Sequence, residues 1–101
     1  MLNQIVLVGR LTEDLEVKEL KEGMKVANIT LAVGRSWKNA EGEYETDFVP
    51  IRLFNIVAEN TSEYCHKGDI LGIKGRIQVE ENEIQIIAEK VTFLSSKKAD
   101  E

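Results

Sequence analysis

Residues 55–68, "NIVAENTSEYCHKG", are the stretch on which the fold turns. On either side of it apolar residues recur at every second position, the period of β-strands; here that period stops. Val57, Thr61 and Tyr64 fall at helical spacing. His66 and Lys67 suit the negative end of a helix, and Gly68 is placed to stop it. A short helix is predicted here, with strands before and after.

Upstream, "NQIVLVGRL" at 3–11 is almost continuously apolar. Both faces of that strand are predicted to be buried, centrally or at a subunit contact. "LEVKEL" at 15–20 is short and mixed and reads as an extension, followed by a Glu22-Gly23 turn. In "MKVANITLAV", 24–33, Ile29, Leu31 and Val33 share a face. In "FVPIRLF", 48–54, Val49, Ile51 and Leu53 point inward, and Phe48, Pro50, Arg52 and Phe54 outward. Pro50 has no N–H for a ladder, so it marks an edge or a bulge.

Downstream, "ILGIKGRIQV" at 70–79 puts Leu71, Ile73, Ile77 and Val79 inward and Lys74, Arg76 and Gln78 outward. The last strand, "EIQIIAEKVTFL" at 83–94, slips phase at Ile86-Ile87, which predicts a bulge there. Three strand regions, a helix and two strands describe an all-β OB-fold, a five-stranded Greek-key β-barrel with one short helix between strands 3 and 4. Period alone leaves other small β-barrels open. The barrel is assigned to 1–95, and 96–101 to a short polar, flexible end.

The 101 residues suffice for one domain with a single core. No apolar run is long enough for a membrane-spanning helix. "MLNQIVLVGR" lacks the basic start and small-residue cleavage site of a secretory signal, so a cytosolic protein is expected. One cysteine, Cys65, permits no internal disulfide and fits a reducing compartment. Adjacent Cys65 and His66 make a poor nucleophile–base pair, and one Cys with one His cannot build the usual structural zinc site. Neither catalysis, nor a metal, nor a cofactor is expected. The acidic "EENE" lacks the oxygen spacing of an EF-hand and reads as a solvated turn.

The formal net charge of -5 does not favour a phosphate-rich partner, although a local basic face is compatible with it. Gly34 interrupts its strand, and a one-residue bulge there would turn Arg35 and Trp37 to the outer face. That face would then hold Trp37, Phe48 and Phe54 with Arg10, Arg35, Arg52, Lys74 and Arg76, and Lys38 at the base of the hairpin. Aromatics interleaved with cations suit single-stranded nucleic acid, with bases stacking on rings and cations tracking the backbone. The competing reading is packing, with the same aromatics covered by the helix or by another subunit.

Three longer stretches carry a resemblance. "MLNQIVLVGRLTEDLEV", "VANITLAVGRSWKNAEGEYETDFVPIRLF" and "AENTSEYCHKGDILGIKGRIQ" together resemble the bacterial single-stranded-DNA-binding protein family over nearly the whole chain. The resemblance implies an OB-fold that binds single-stranded DNA without sequence preference and without chemistry. It serves replication, recombination or repair, as a homo-oligomer, with a tetramer favoured and a dimer possible. It implies base stacking on Trp37, Phe48 and Phe54, and pairing of the first strand with its counterpart in a second subunit.

Three departures bear on those expectations. The first turn reads Asp14-Leu15-Glu16 where the family commonly has Asp-Pro-Glu. The hairpin between the last two strands shrinks to "VEENEIQ", whose acids would repel phosphate. The chain stops at "KKADE", without the acidic-tipped tail through which family members recruit replication and repair proteins, so a tailless or truncated form is expected. Two rivals stay open: a tailless primosomal-type accessory protein, and an OB-fold module whose aromatic face binds a polypeptide.

Overall fold

The computed structural model describes residues 1–95; the polar end expected at 96–101 lies outside them. Six strands and one helix follow in order: β1 (Ile5–Leu11), β2 (Lys18–Lys21), β3 (Met24–Lys38), β4 (Tyr44–Phe54), α1 (Asn55–Tyr64), β5 (Ile70–Glu80) and β6 (Glu83–Ser95). The sheet runs β1-β5-β6-β4-β3-β2 and closes through a second pairing of β1 with β3. All contacts between strands are antiparallel except β4 with β6. Five strands thus form the closed OB-fold barrel predicted from the period, with the helix between the third and fourth of them. The sixth, β2, is a short ribbon beside β3. The 15–20 segment is therefore not an extension. Gly23, at φ 78°, lets the chain reverse so that Lys21 faces Met24.

The core is built by strand alternation. Leu11, Leu31, Ile51, Leu53, Leu71 and Ile73 are at most 1% exposed. Each such burial contributes about 1.5–3 kcal/mol relative to an exposed side chain. Ile29 joins them, and Val33 and Val49 pack against the cluster. Pro50 lies where β4 is paired on one side only, because the β4–β6 register covers only Ile51 and Arg52.

Several expectations are corrected. The helix ends at Tyr64, because buried Cys65 takes an extended conformation. Its inward face is Ala58 and Thr61, and Tyr64 is exposed. Gly68 (φ 96°) does not stop the helix. It belongs to a separate turn closed by Asp69 N–H donating to the His66 carbonyl at 3.0 Å. β1 is not central: within the protomer Leu7 and Leu11 point inward while Val6 is 66% exposed, so of the two placements expected for this strand only the subunit contact is compatible with burial of both faces. Ile77 and Val79 alternate as expected but are exposed, since the β5–β6 hairpin carries them past the core. The register of β5 and β6 shifts at Glu89 and Leu94 rather than at Ile86-Ile87. Beside the Glu89 shift the strands approach so closely that a β-carbon on Gly75 would collide with the Ile87 carbonyl.

Candidate nucleic-acid interface

Alternation along β4 places Phe48, Pro50, Arg52 and Phe54 on the barrel's outer side, opposite Ala32, Thr30, Asn28 and Val26 of β3. Ala32 in turn faces Arg10 of β1. Arg10, Ala32 and Phe48 thus form one row across three strands, its ends about 10 Å apart at the usual strand spacing. Alanine in the middle leaves the ring uncovered, and Phe48 is 66% exposed. Phe54 is half-buried beside Val26 at the start of the helix.

Beyond the barrel, β3 and β4 continue as an arm. Its tip is fixed by Asn39, whose Oδ1 accepts from the N–H groups of Glu41 and Glu43, both at 2.9 Å. Gly42, at φ 79°, completes the turn. Trp37 and Tyr44 are both about two-thirds exposed on this arm. The Lys38 ammonium lies 5.7 Å from the centre of the Tyr44 ring. Such a contact leaves the charge available to an anion while holding the side chain in place.

The expected one-residue bulge at Gly34 is not what forms. Gly34 faces Thr46 and Lys38 faces Tyr44, so β3 gains two residues on β4. Arg35 keeps the phase of Val33, whose partner is Asp47. Its guanidinium donates to both Asp47 carboxylate oxygens, at 3.1 and 2.9 Å, and meets Glu45 at 2.9 Å. Arg35 therefore sits on the side of the arm away from Phe48. The guanidinium holds the Asp47 carboxyl below its ordinary value of 3.8, and Asp47 raises Arg35 in return.

The other cations divide in two. Arg52 is 3.7 Å from Glu80, and Arg76 is 3.3 Å from Glu89. These two arginines flank Ile87 in one row, and Ile87 is 3% exposed between them. Arg10, Lys38 and Lys74 make no ion pair with another described residue. Arg10 donates to the Gly68 carbonyl at 2.7 Å. Lys74 stands apart from the aromatic row, level with Val6 and Lys90.

Set beside known proteins, residues 2–94 match the profile of the Single-strand binding protein family. The chain belongs to this family. It is 45% identical to Single-stranded DNA-binding protein B of Bacillus subtilis, over 96% of this chain and 94% of that one. It is 40% identical to Single-stranded DNA-binding protein 1 of Staphylococcus aureus, over 100% of this chain and 70% of that one. A crystal structure of a deletion mutant of the single-stranded DNA binding protein from Thermus aquaticus shares the fold, with a TM-score of 0.75 at 22% identity. The match covers 95% of this chain, which spans about half the length of that one, 52%.

Within this family member, strand alternation and aromatic type made most of the exposed face legible. It did not single out Tyr44 as the partner of Lys38. Nor did it find Asn28 and Gln85, which both bind Arg52. The spacing of Asn28 outward on β3 was the available signal for one of them; Gln85 gave none. Elsewhere, Tyr64 and Phe93 pack with ring centres 5.9 Å apart beside the helix. Burial, helped by Asp69, pushes the Cys65 thiol up to about 11, which leaves it a poor nucleophile. No group of metal-ligating side chains occurs among the described residues, and no helix there is long and apolar enough to cross a membrane.

Proposed function

We propose that this chain binds single-stranded DNA, stacking bases on Trp37, Phe48 and Phe54 and drawing phosphates to nearby cations. The observation that carries the reading is Phe48, an exposed ring on a rigid strand of a family barrel, level with Arg10. Two-thirds of that ring is exposed and it makes no ring contact with another described residue, which leaves a face for a base. Each stacked base contributes roughly 1–3 kcal/mol. Arg10 and Lys38, which form no ion pair with a carboxylate of another described residue, carry most of the phosphate contact, while Lys74, level with Val6, lies beside the face assigned below to assembly. Arg35, Arg52 and Arg76 are already paired and contribute less. No chemistry is assigned, and the setting is replication, recombination or repair.

The protein acts as a homo-oligomer, a tetramer by preference, through the outward face of β1. Val6 and Val8 leave an apolar stripe there, more than half exposed.

The test is a titration of the Trp37 fluorescence with long oligo(dT) at low and moderate salt, beside a matched duplex. Trp37 is the single tryptophan, so the signal reports one position. Quenching by the single strand alone, weakened by salt, is expected. No quenching together with no mobility shift would overturn the proposal and turn the aromatic face into a polypeptide-binding surface.

A further inference from the structure

Resting on that reading, we infer that Glu80 and Glu89 are built-in stand-ins for phosphate, which hold Arg52 and Arg76 neutralised until a single strand displaces them. The two arginines belong to one polar chain that crosses four strands. Arg52 Nε donates to Asn28 Oδ1 at 3.2 Å, and its Nη1 donates to Gln85 Oε1 at 3.3 Å. The same Nη1 lies 3.7 Å from Glu80 Oε1. The other Glu80 oxygen accepts from Gln78 Nε2 at 3.0 Å, and Gln78 Oε1 accepts from Arg76 Nη2 at 3.2 Å. Arg76 Nη1 then meets Glu89 at 3.3 Å. Each arginine is matched by one glutamate, so the chain as a whole is neutral.

This chain lies on the path of a strand stacked on the proposed rings. Arg52 shares a face of β4 with Phe54 and Phe48, about 7 Å along the strand from the first and about 13 Å from the second. A backbone that joins bases on both rings runs past its guanidinium. Arg76 follows in the row through Ile87, about 10 Å further across the sheet. All four charged side chains are between a third and a half exposed. Ion pairs so open to water add little to stability and exchange readily for another anion. A phosphate offers an arginine what the carboxylate does, oxygen acceptors that carry negative charge.

The exchange leaves a signature in salt. A cation that neutralises a phosphate releases a counterion from the strand, so binding weakens as salt rises. Where the phosphate replaces Glu80, the freed carboxylate gathers a cation in turn, and the net release is close to nil. The arginines then guide the strand without steepening its salt dependence. Most of the grip is left to stacking on the rings, which fits a chain of formal net charge -5. Glu80 and Glu89 act through the arginines and are positioning residues.

The test is a salt series of anisotropy titrations with labelled oligo(dT). Glu80→Gln removes the charge and keeps an oxygen to accept from Gln78. Freeing Arg52 in this way should tighten binding at low salt and steepen the fall of log K with log salt by about 0.7, the value for one phosphate of a single strand. Glu80→Gln with Glu89→Gln should steepen it by about 1.4. Glu81→Gln controls for the loss of charge alone, because Glu81 adjoins Glu80 and makes no ion pair with another described residue. That variant should keep the original slope. In an Arg52→Gln background, Glu80→Gln should also leave the slope as it was, since no guanidinium remains to be freed. An unchanged slope in Glu80→Gln would overturn the inference and leave the proposed function standing. So would an equal change in Glu81→Gln, or a change that survives in the Arg52→Gln background. No binding of oligo(dT) by the unmodified protein would sink both.

Discussion

Gly9 on β1 lies against the backbone of Ala32 on β3, so close that a β-carbon at position 9 would stand 2.6 Å from the Ala32 carbonyl oxygen. This is the seam where β1 leaves β5 and closes the barrel on β3. The nearest atom is backbone, which cannot swing aside, and the side chains of Leu31 and Val33 crowd the same spot at 2.9 and 3.0 Å.

Gly9→Ala should therefore cost about 1–3 kcal/mol, the range for forcing an extra methyl into packed structure. Gly34→Ala is the matched control, because nothing lies within 4 Å of its β-carbon. Urea unfolding of the two variants should show a lower midpoint for the first and little change for the second. Equal midpoints would mean that the seam is not tight.

Phe48 and Phe54 should separate binding from stability. Phe48→Ala removes an exposed ring and is expected to weaken oligo(dT) binding by about 1–3 kcal/mol, with stability unchanged within about 0.5 kcal/mol. Phe54→Ala should lower both, since that ring is half-buried beside Val26. Calorimetric melting and a fluorescence titration on each variant check the contrast.

Asp47 should titrate below its ordinary 3.8, because the Arg35 guanidinium bonds its charged form. A carboxyl whose folded value lies below its unfolded value stabilises the fold fully above the unfolded value. It loses that contribution as pH falls through the folded one. The pair is solvent-exposed, so the effect on stability is small and confined to acid. Carboxyl-carbon NMR should give a midpoint under 3.8 that rises in Arg35→Ala. An unmoved midpoint would show that the ion pair does not persist in solution.

The β5–β6 turn carries a correctable strain. Glu81 and Asn82 both sit at positive φ, 50° and 68°, the pattern of a two-residue type I′ hairpin. Asn tolerates that region and Glu does not. Glu81→Asn should stabilise the protein by about 0.5–1 kcal/mol, read as a raised urea midpoint.

What could be read along one strand was legible early. Side-chain alternation is a local property of extended backbone, so Leu31, Ile51, Leu53 and Leu71 were correctly placed inward, and Phe48 and Arg52 outward. The break in that period at 55–68 located the helix, though not its end, because the turn from Tyr64 into buried Cys65 answers to the core and not to helix propensity. What depended on registration between strands was hidden. The two-residue shift between Gly34 and Lys38 decided that Arg35 meets Asp47 rather than Phe48. Ile77 and Val79 have the pattern of core residues, and only the length of the β5–β6 hairpin beyond the barrel leaves them in water. Asn28, Arg52 and Gln85 come from three strands, and no spacing in the chain relates the last to the other two. Alternation follows from each residue's own backbone, whereas register and closure follow from pairings that exist only once the barrel has formed.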